Sequence, residues 1–347
     1  MASLPEPPEP AFLQRVSYLR DPIGTMDRCQ KTLGDIYKLA LGPGMVFVSS
    51  PELAKEMLTQ PEDNLVAGEA KIHVFGKILG DSSTLLLDGP AHLKRRRLLL
   101  PRFRGELAQK LEPAMREACE NVLAELPRGH EFALHSFMHR IAFQVISRSL
   151  FAATPASRLK QLEAALREFA HRAVTSRLLM FRPLQRDLPF SPWRKVMNIV
   201  EAARRAVLTE IRVRRVSASD GDDILGMLLT ATSEDGTALA ETEIVDEILT
   251  MVAAGHETTS MALTWLVYAV YTRPDVLAKL RAGDPAYRDA TVRESLRMYS
   301  VIPNGSGRLA KRDFTLGGYT VPKGTLVTVA FHAVHRRLDV FADADTF

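Results

Sequence analysis

Apolar residues recur at three- and four-residue spacing over Leu107 to Leu126, Leu162 to Val174 and Trp193 to Arg214, which predicts amphipathic helices. Two short, largely apolar runs, Ile36 to Leu41 and Met45 to Ser49, flank Gly42-Pro43-Gly44 and predict a hairpin. Pro51 then opens a helix through about Thr59. Phe314 to Val329 repeats the strand pattern, with Gly317-Gly318 and Pro322-Lys323-Gly324 at its turns. Strands confined to two short islands among many helices predict a mainly α fold with small β regions. The helical pattern resumes at Asp223 directly after the polar Ser217 to Asp222 loop, so residues 1–347 are expected to form a single domain.

One helix is unlike the others. Glu247 to Leu266 is apolar almost throughout, and Ile248 to Tyr271 is long enough to raise the question of a membrane span. His256-Glu257-Thr258-Thr259-Ser260 falls at its middle, where polar groups are expensive in lipid, so a buried helix of a large soluble domain is expected instead. Met1 to Pro10 is proline-rich and acidic, without the basic and then apolar run of a signal peptide. A cytoplasmic protein with no membrane anchor follows.

Composition narrows the classes. With 46% hydrophobic and 25% charged residues in 347, disorder is excluded as the default. Net charge is only +4, so basic character must be judged by where it clusters. Two cysteines, Cys29 and Cys119, fit neither a disulfide framework nor a CxxC metal site.

Three segments carry candidate chemistry. In the central helix, Ala254, Gly255 and Thr258 place two small residues and a hydroxyl on one face, with the acid Glu257 alongside. This reads either as a close-approach site for a flat ligand or as a small-residue helix crossing with a solvated Glu257. Asp88-Gly89-Pro90 starts a helix in which His92 and Arg96 are four apart, a pair able to hold a carboxylate or phosphate, and Pro101 ends it. Around them Lys94, Arg95, Arg97, Arg102 and Arg104 form a basic surface, which by itself reads as a solvated face or a nucleic-acid contact. Glu294 and Arg297 form an acid-base pair three apart on a later helix, a spacing that chance supplies about once or twice in such a chain.

In this order, the segments resemble the cytochrome P-450 family over nearly the whole chain. The long helix is similar to that family's small-Gly-x-acid-Thr motif at Ala254, Gly255, Glu257 and Thr258. The resemblance implies that Glu257 and Thr258 are catalytic, delivering protons while dioxygen is activated, and that Ala254, Gly255 and Thr258 line the cofactor. It implies that His92, Arg96 and Arg308 bind the propionates of haem b, and that Glu294 and Arg297 are structural. Gly34-Asp35-Ile36, Gly317 to Tyr319 and Val321 to Thr325 also match family landmarks.

The implied activity is a monooxygenase acting on a hydrophobic small molecule, fatty-acid-like or terpenoid-like. The Leu178 to Phe181 and Phe190 to Trp193 pieces resemble those of bacterial members with such substrates. The implied partners are the substrate, dioxygen and a ferredoxin- or flavodoxin-type electron donor docking on the basic surface around Lys94 to Arg104. A monomer is expected. No aromatic interleaving accompanies the cations, so no nucleic-acid partner is expected.

No residue matches the family's haem-ligand cysteine, so no metal ligand is assigned in this chain. The expectation is a P-450 fold incomplete at the C-terminus, a fragment of about three quarters that is inactive as written. The alternative is a haem-free helper protein on the same scaffold.

Overall fold

The structure, a computed structural model, describes residues 2–100, 106–180, 182–217, 221, 223–232, 236–305 and 307–347. Pro101, Arg102, Arg104, Phe181 and most of the Ser217 to Asp222 loop lie outside the described residues. The chain groups into two compact units, one of residues 1–70 with 262–347 and one of residues 71–261.

In chain order the first unit contributes α1 (Ala11–Arg20), α2 (Pro22–Leu33), β1 (Ile36–Leu39), β2 (Met45–Val48), α3 (Pro51–Leu58) and β3 (Leu65–Val66). Next come α4 (Gly68–Leu79), α5 (Gly89–Leu99), α6 (Glu106–Ala124), α7 (Leu134–Phe151), α8 (Ala156–Glu168), α9 (Pro192–Ser217), α10 (Ile224–Leu229) and the long α11 (Glu241–Tyr271). The first unit resumes at Ala262, within α11, and goes on to α12 (Pro274–Arg281), α13 (Pro285–Met298), β4 (Arg308–Ala310), β5 (Phe314–Leu316), β6 (Tyr319–Val321), β7 (Leu326–Val329) and α14 (Phe331–His335).

In the first unit, local chemistry sets the element ends. Asp21 caps α2 by accepting from the Gly24 amide at 2.8 Å, and Ser50 caps α3 by accepting from the Leu53 amide at 3.2 Å, each with Pro in the next position. The Gly42 to Gly44 turn joins β1 to β2 as the pattern predicts.

The two strand islands are not independent, however. β2 and β7 pair in parallel from Met45 opposite Leu326 to Val48 opposite Val329, giving one five-stranded sheet in the order β1-β2-β7-β4-β3. Strand alternation sends Ile36, Val46, Val48, Val327 and Val329 into one apolar cluster and Tyr37, Leu39 and Phe47 into another, so these strands are buried on both faces. The β5–β6 hairpin turns on Gly317 and Gly318 at φ 57° and 83°, the pair of positive φ values that a two-residue turn of matching twist requires.

The second unit is helical. α9 buries Trp193, Val196, Val200, Ala203, Val207 and Ile211 at three- and four-residue spacing, against Leu162, Leu166 and Phe169 among others. The predicted Leu162 to Val174 helix is in fact two pieces, since α8 ends at Glu168 and Phe169–Val174 continues as a π-helix. The wider turn brings Phe169, Ala170 and Ala173 inward together.

A buried ionic knot holds α9 to its neighbours. Arg214 donates to both carboxylate oxygens of Asp223 at 2.7 Å, and Glu210 accepts from Thr154 and from Arg158 Nε at 2.9 Å each. Asp223 also accepts from the Ala153 and Gly226 amides at 2.9 Å, so it is fully used. No described helix is long and apolar enough to cross a membrane.

Candidate functional site

Helix α11 is pinned by two buried acids before it reaches its polar interruption. Asp246 accepts from the Ser82 amide at 3.0 Å and from Arg204 at 2.5 Å. It lies so close to Gly80, at φ 91°, that a Cβ there would come within 2.2 Å of its carboxylate. Glu247 accepts from the Thr84 amide at 3.0 Å, the Thr84 hydroxyl at 2.5 Å and Arg95 at 2.8 Å, while the other Arg95 amino group bonds Glu243.

This corrects the reading of the basic stretch. Arg95 is only 6% exposed and ties α5 to α11, whereas Lys94, Arg96 and Arg97 are exposed and His92 is half-buried. Asp88 stands at the N-cap of α5, but its side chain accepts no cap hydrogen bond.

At the interruption the face of α11 is divided. Ala254 is exposed, and the Thr258 hydroxyl donates back to the Ala254 carbonyl at 2.5 Å. Gly255 points elsewhere, because a Cβ on it would meet Ile146 of α7 at 3.2 Å. The small residues therefore serve two purposes, a close helix crossing at Gly255 and an open step at Ala254.

Glu257 is not solvated alone either. Its carboxylate lies 3.2 Å from His139 Nε2 and 4.0 Å from His135 Nε2, both on α7. His256 is fully buried, with Nε2 3.2 Å from the His139 carbonyl oxygen and its ring centroid 3.9 Å from that of His139. His171, from the π-helical turn, lies edge-on to His139 at 5.5 Å. Burial lowers the His256 pKa to about 4, and burial also lowers that of His139 in spite of the Glu257 carboxylate. His135, His139 and His171 escaped the sequence reading, although the i,i+4 spacing of His135 and His139 on a helix would have signalled a shared face.

The remaining candidates lie in the first unit. Arg297 is 8% exposed and makes two contacts to Glu294, at 2.8 and 2.5 Å, while donating to the carbonyls of His335, Ala344 and Thr346 at 2.8, 2.7 and 3.0 Å. The Phe341 ring covers its guanidinium at 4.9 Å. Arg308 donates to the carbonyls of Leu58 at 3.1 Å and Met57 at 3.4 Å, at the end of α3.

For a haem, the exposed Ala254 beside Thr258 offers the small, flat approach such a group needs, and His92 with Arg96 offers anion-binding donors one helical turn apart. Neither cysteine has the environment of an iron ligand. Cys29 is buried in α2 and Cys119 half-buried in α6, and burial pushes both thiols up, away from the thiolate form.

A sequence model of the family described as Cytochrome P-450 matches residues 4–283 and 285–347. Cytochrome P-450 135B1 of Mycobacterium tuberculosis is 31% identical over 366 aligned positions, covering all of this chain and 76% of the relative. Among solved structures, the haem domain of cytochrome P450DA superposes with a TM-score of 0.82 at 23% identity, covering all of this chain and 80% of that one. The retinoic-acid-bound cyanobacterial CYP120A1 superposes at 0.79 with 22% identity, covering 100% and 81%.

Proposed function

This chain belongs to the cytochrome P-450 family of haem-dependent monooxygenases, whose full-length members carry haem b, and from that premise we propose that it oxygenates a hydrophobic small molecule of fatty-acid or terpenoid type. The observation that carries the reading is the step in α11. There an exposed Ala254, a half-buried Thr258 hydroxyl and the Glu257 carboxylate interrupt the largely apolar Ile248 to Tyr271 stretch of the helix.

When bound, haem supplies the oxygen-activating chemistry. Ala254 and Thr258 would lie against it, and Gly255 lets α7 approach so that α11 stays in place. Glu257 would hold a proton at its carboxylate and pass it to the Thr258 hydroxyl, which can accept because its own hydrogen already points to the Ala254 carbonyl. His92, Arg96 and Arg308 would bind the propionates. Glu294 and Arg297 would act structurally, by clamping the three carbonyls of the chain's last segment.

The choice of substrate class draws support from the apolar Leu178-Leu179 and Phe190 to Trp193 pieces and from the retinoic acid held by one structural relative. For electron supply, the exposed Lys94 and Arg97 on α5 suit an acidic ferredoxin- or flavodoxin-type donor. The same reading has the protein acting as a monomer in the cytoplasm.

The decisive experiment is Thr258→Ala in the haem-loaded full-length protein. Haem binding should persist while product per electron pair falls severalfold and peroxide rises. Unchanged coupling would remove Thr258 from the mechanism. A panel of fatty acids and terpenoids that produced no spin-state change would overturn the substrate class.

A further inference from the structure

Four of the nine histidines in this chain cluster together, His135, His171 and His256 packing around the ring of His139, whose Nε2 lies 3.2 Å from the Glu257 carboxylate. We propose that His139, His256 and Glu257 form a binding site for a divalent transition-metal ion of the zinc class, with His135 as a fourth ligand.

The geometry is close to what such an ion needs. His139, His256 and Glu257 each offer one ligand atom, and these atoms all lie within 4.8 Å of one another. Metal-ligand bonds of about 2.0–2.2 Å in a tetrahedron bring ligand atoms to roughly 3–4 Å, so side-chain rotations of an ångström or less close the site. The ligands come from two helices whose backbones are already held together, by the close approach of Ile146 to Gly255 and by the His256 ring against the His139 carbonyl.

A second observation concerns His256 itself. It is 0% exposed, and its Nδ1 has no hydrogen-bond partner among the described residues, an uncommon state for a buried nitrogen. Its other nitrogen faces a backbone carbonyl, the arrangement that fixes the tautomer of a ligating imidazole.

An ordinary ion pair between His139 and Glu257 accounts for neither the buried nitrogen nor the excess of imidazoles over carboxylates. A donor set rich in imidazole with one carboxylate favours zinc, copper or nickel over magnesium or calcium, which prefer oxygen. Access is open, because the side chains of Glu257 and His135 are 37% and 44% exposed. An ion seated there would take up the Glu257 carboxylate and so inhibit proton delivery by this residue. Binding itself does not depend on that catalytic assignment.

The test is calorimetric titration of the metal-stripped full-length protein with Zn²⁺ and, separately, Mg²⁺. One equivalent of Zn²⁺ and no Mg²⁺ should bind. His139→Ala should weaken Zn²⁺ binding on the order of 100-fold, while His130→Ala, at an exposed histidine outside the cluster, should leave it unchanged. His256 is buried and its replacement risks unfolding, so its participation is read by zinc-edge X-ray absorption, which should show three imidazole nitrogens, from His135, His139 and His256. Absence of stoichiometric Zn²⁺ binding, equal binding of Mg²⁺, indifference to His139→Ala or an all-oxygen shell would each overturn the site.

Discussion

Arg95 stands among cations in the sequence, yet its neighbours Lys94, Arg96 and Arg97 face solvent while it is buried against Glu247, whose side chain is 2% exposed. Removing one partner of such a pair strands the other charge. Arg95→Met should therefore cost about 3–5 kcal/mol, whereas Arg97→Glu should stay within about 0.5 kcal/mol. Urea midpoints compare them directly, and equal midpoints would mean that Arg95 is not the tie between α5 and α11. Glu210 gives a pH signature. Burial pushes its carboxyl up, but hydrogen bonds from Arg158, Thr154 and Arg214 outweigh this and hold it below the ordinary glutamate value. A carboxyl lowered on folding stabilises the protein at pH above its unfolded pKa, and that stabilisation is lost as pH falls through the lower folded value. Glu210→Gln should flatten the acid side of the stability curve, seen in urea midpoints measured across that range. At this scale the sequence named Ala254, Glu257 and Thr258 but not the company Glu257 keeps. His139 is far from it along the chain, as His171 is from His139, and only folding reveals that they meet.

Among the elements, helices were legible because 3.6-residue periodicity is a local signal, and α6, α9 and α11 lie where the apolar spacing places them. The π-helical turn after α8 was not, since one extra residue in a turn leaves the apolar run intact. Strands β1, β2 and β5 to β7 were found, the short β3 and β4 were not, and the partnership of β2 with β7 was missed because a four-residue strand carries no mark of which distant strand it meets. The β5–β6 turn offers a test of local backbone demand. Gly318→Ala meets only its positive φ, with nothing within 4 Å, and should cost about 1 kcal/mol. Gly317→Ala should cost more, because its Cβ would also lie 2.5 Å from a Leu53 methyl carbon. Thermal unfolding of the two variants should rank them in that order, and the reverse order would show that Leu53 yields freely.

For the whole molecule, the family was readable from the order of its motifs along the chain, while the grouping into two units was not. One unit is a continuous stretch, residues 71–261; the other joins residues 1–70 to 262–347 and closes through β2 against β7. Contacts between residues so distant in sequence form slowly. Pulsed hydrogen exchange during refolding should protect the amides of α8 and α9 before those of β2 and β7, and simultaneous protection would argue against this order. During synthesis the same feature becomes a hazard. Until Leu326–Val329 leaves the ribosome, β2 presents an unpaired edge reading Met-Val-Phe-Val, the kind of strand that nascent chains share with one another. The yield of native protein in a producing cell should then follow the supply of chaperones that shield this edge. Slower translation at reduced temperature should move material out of inclusion bodies.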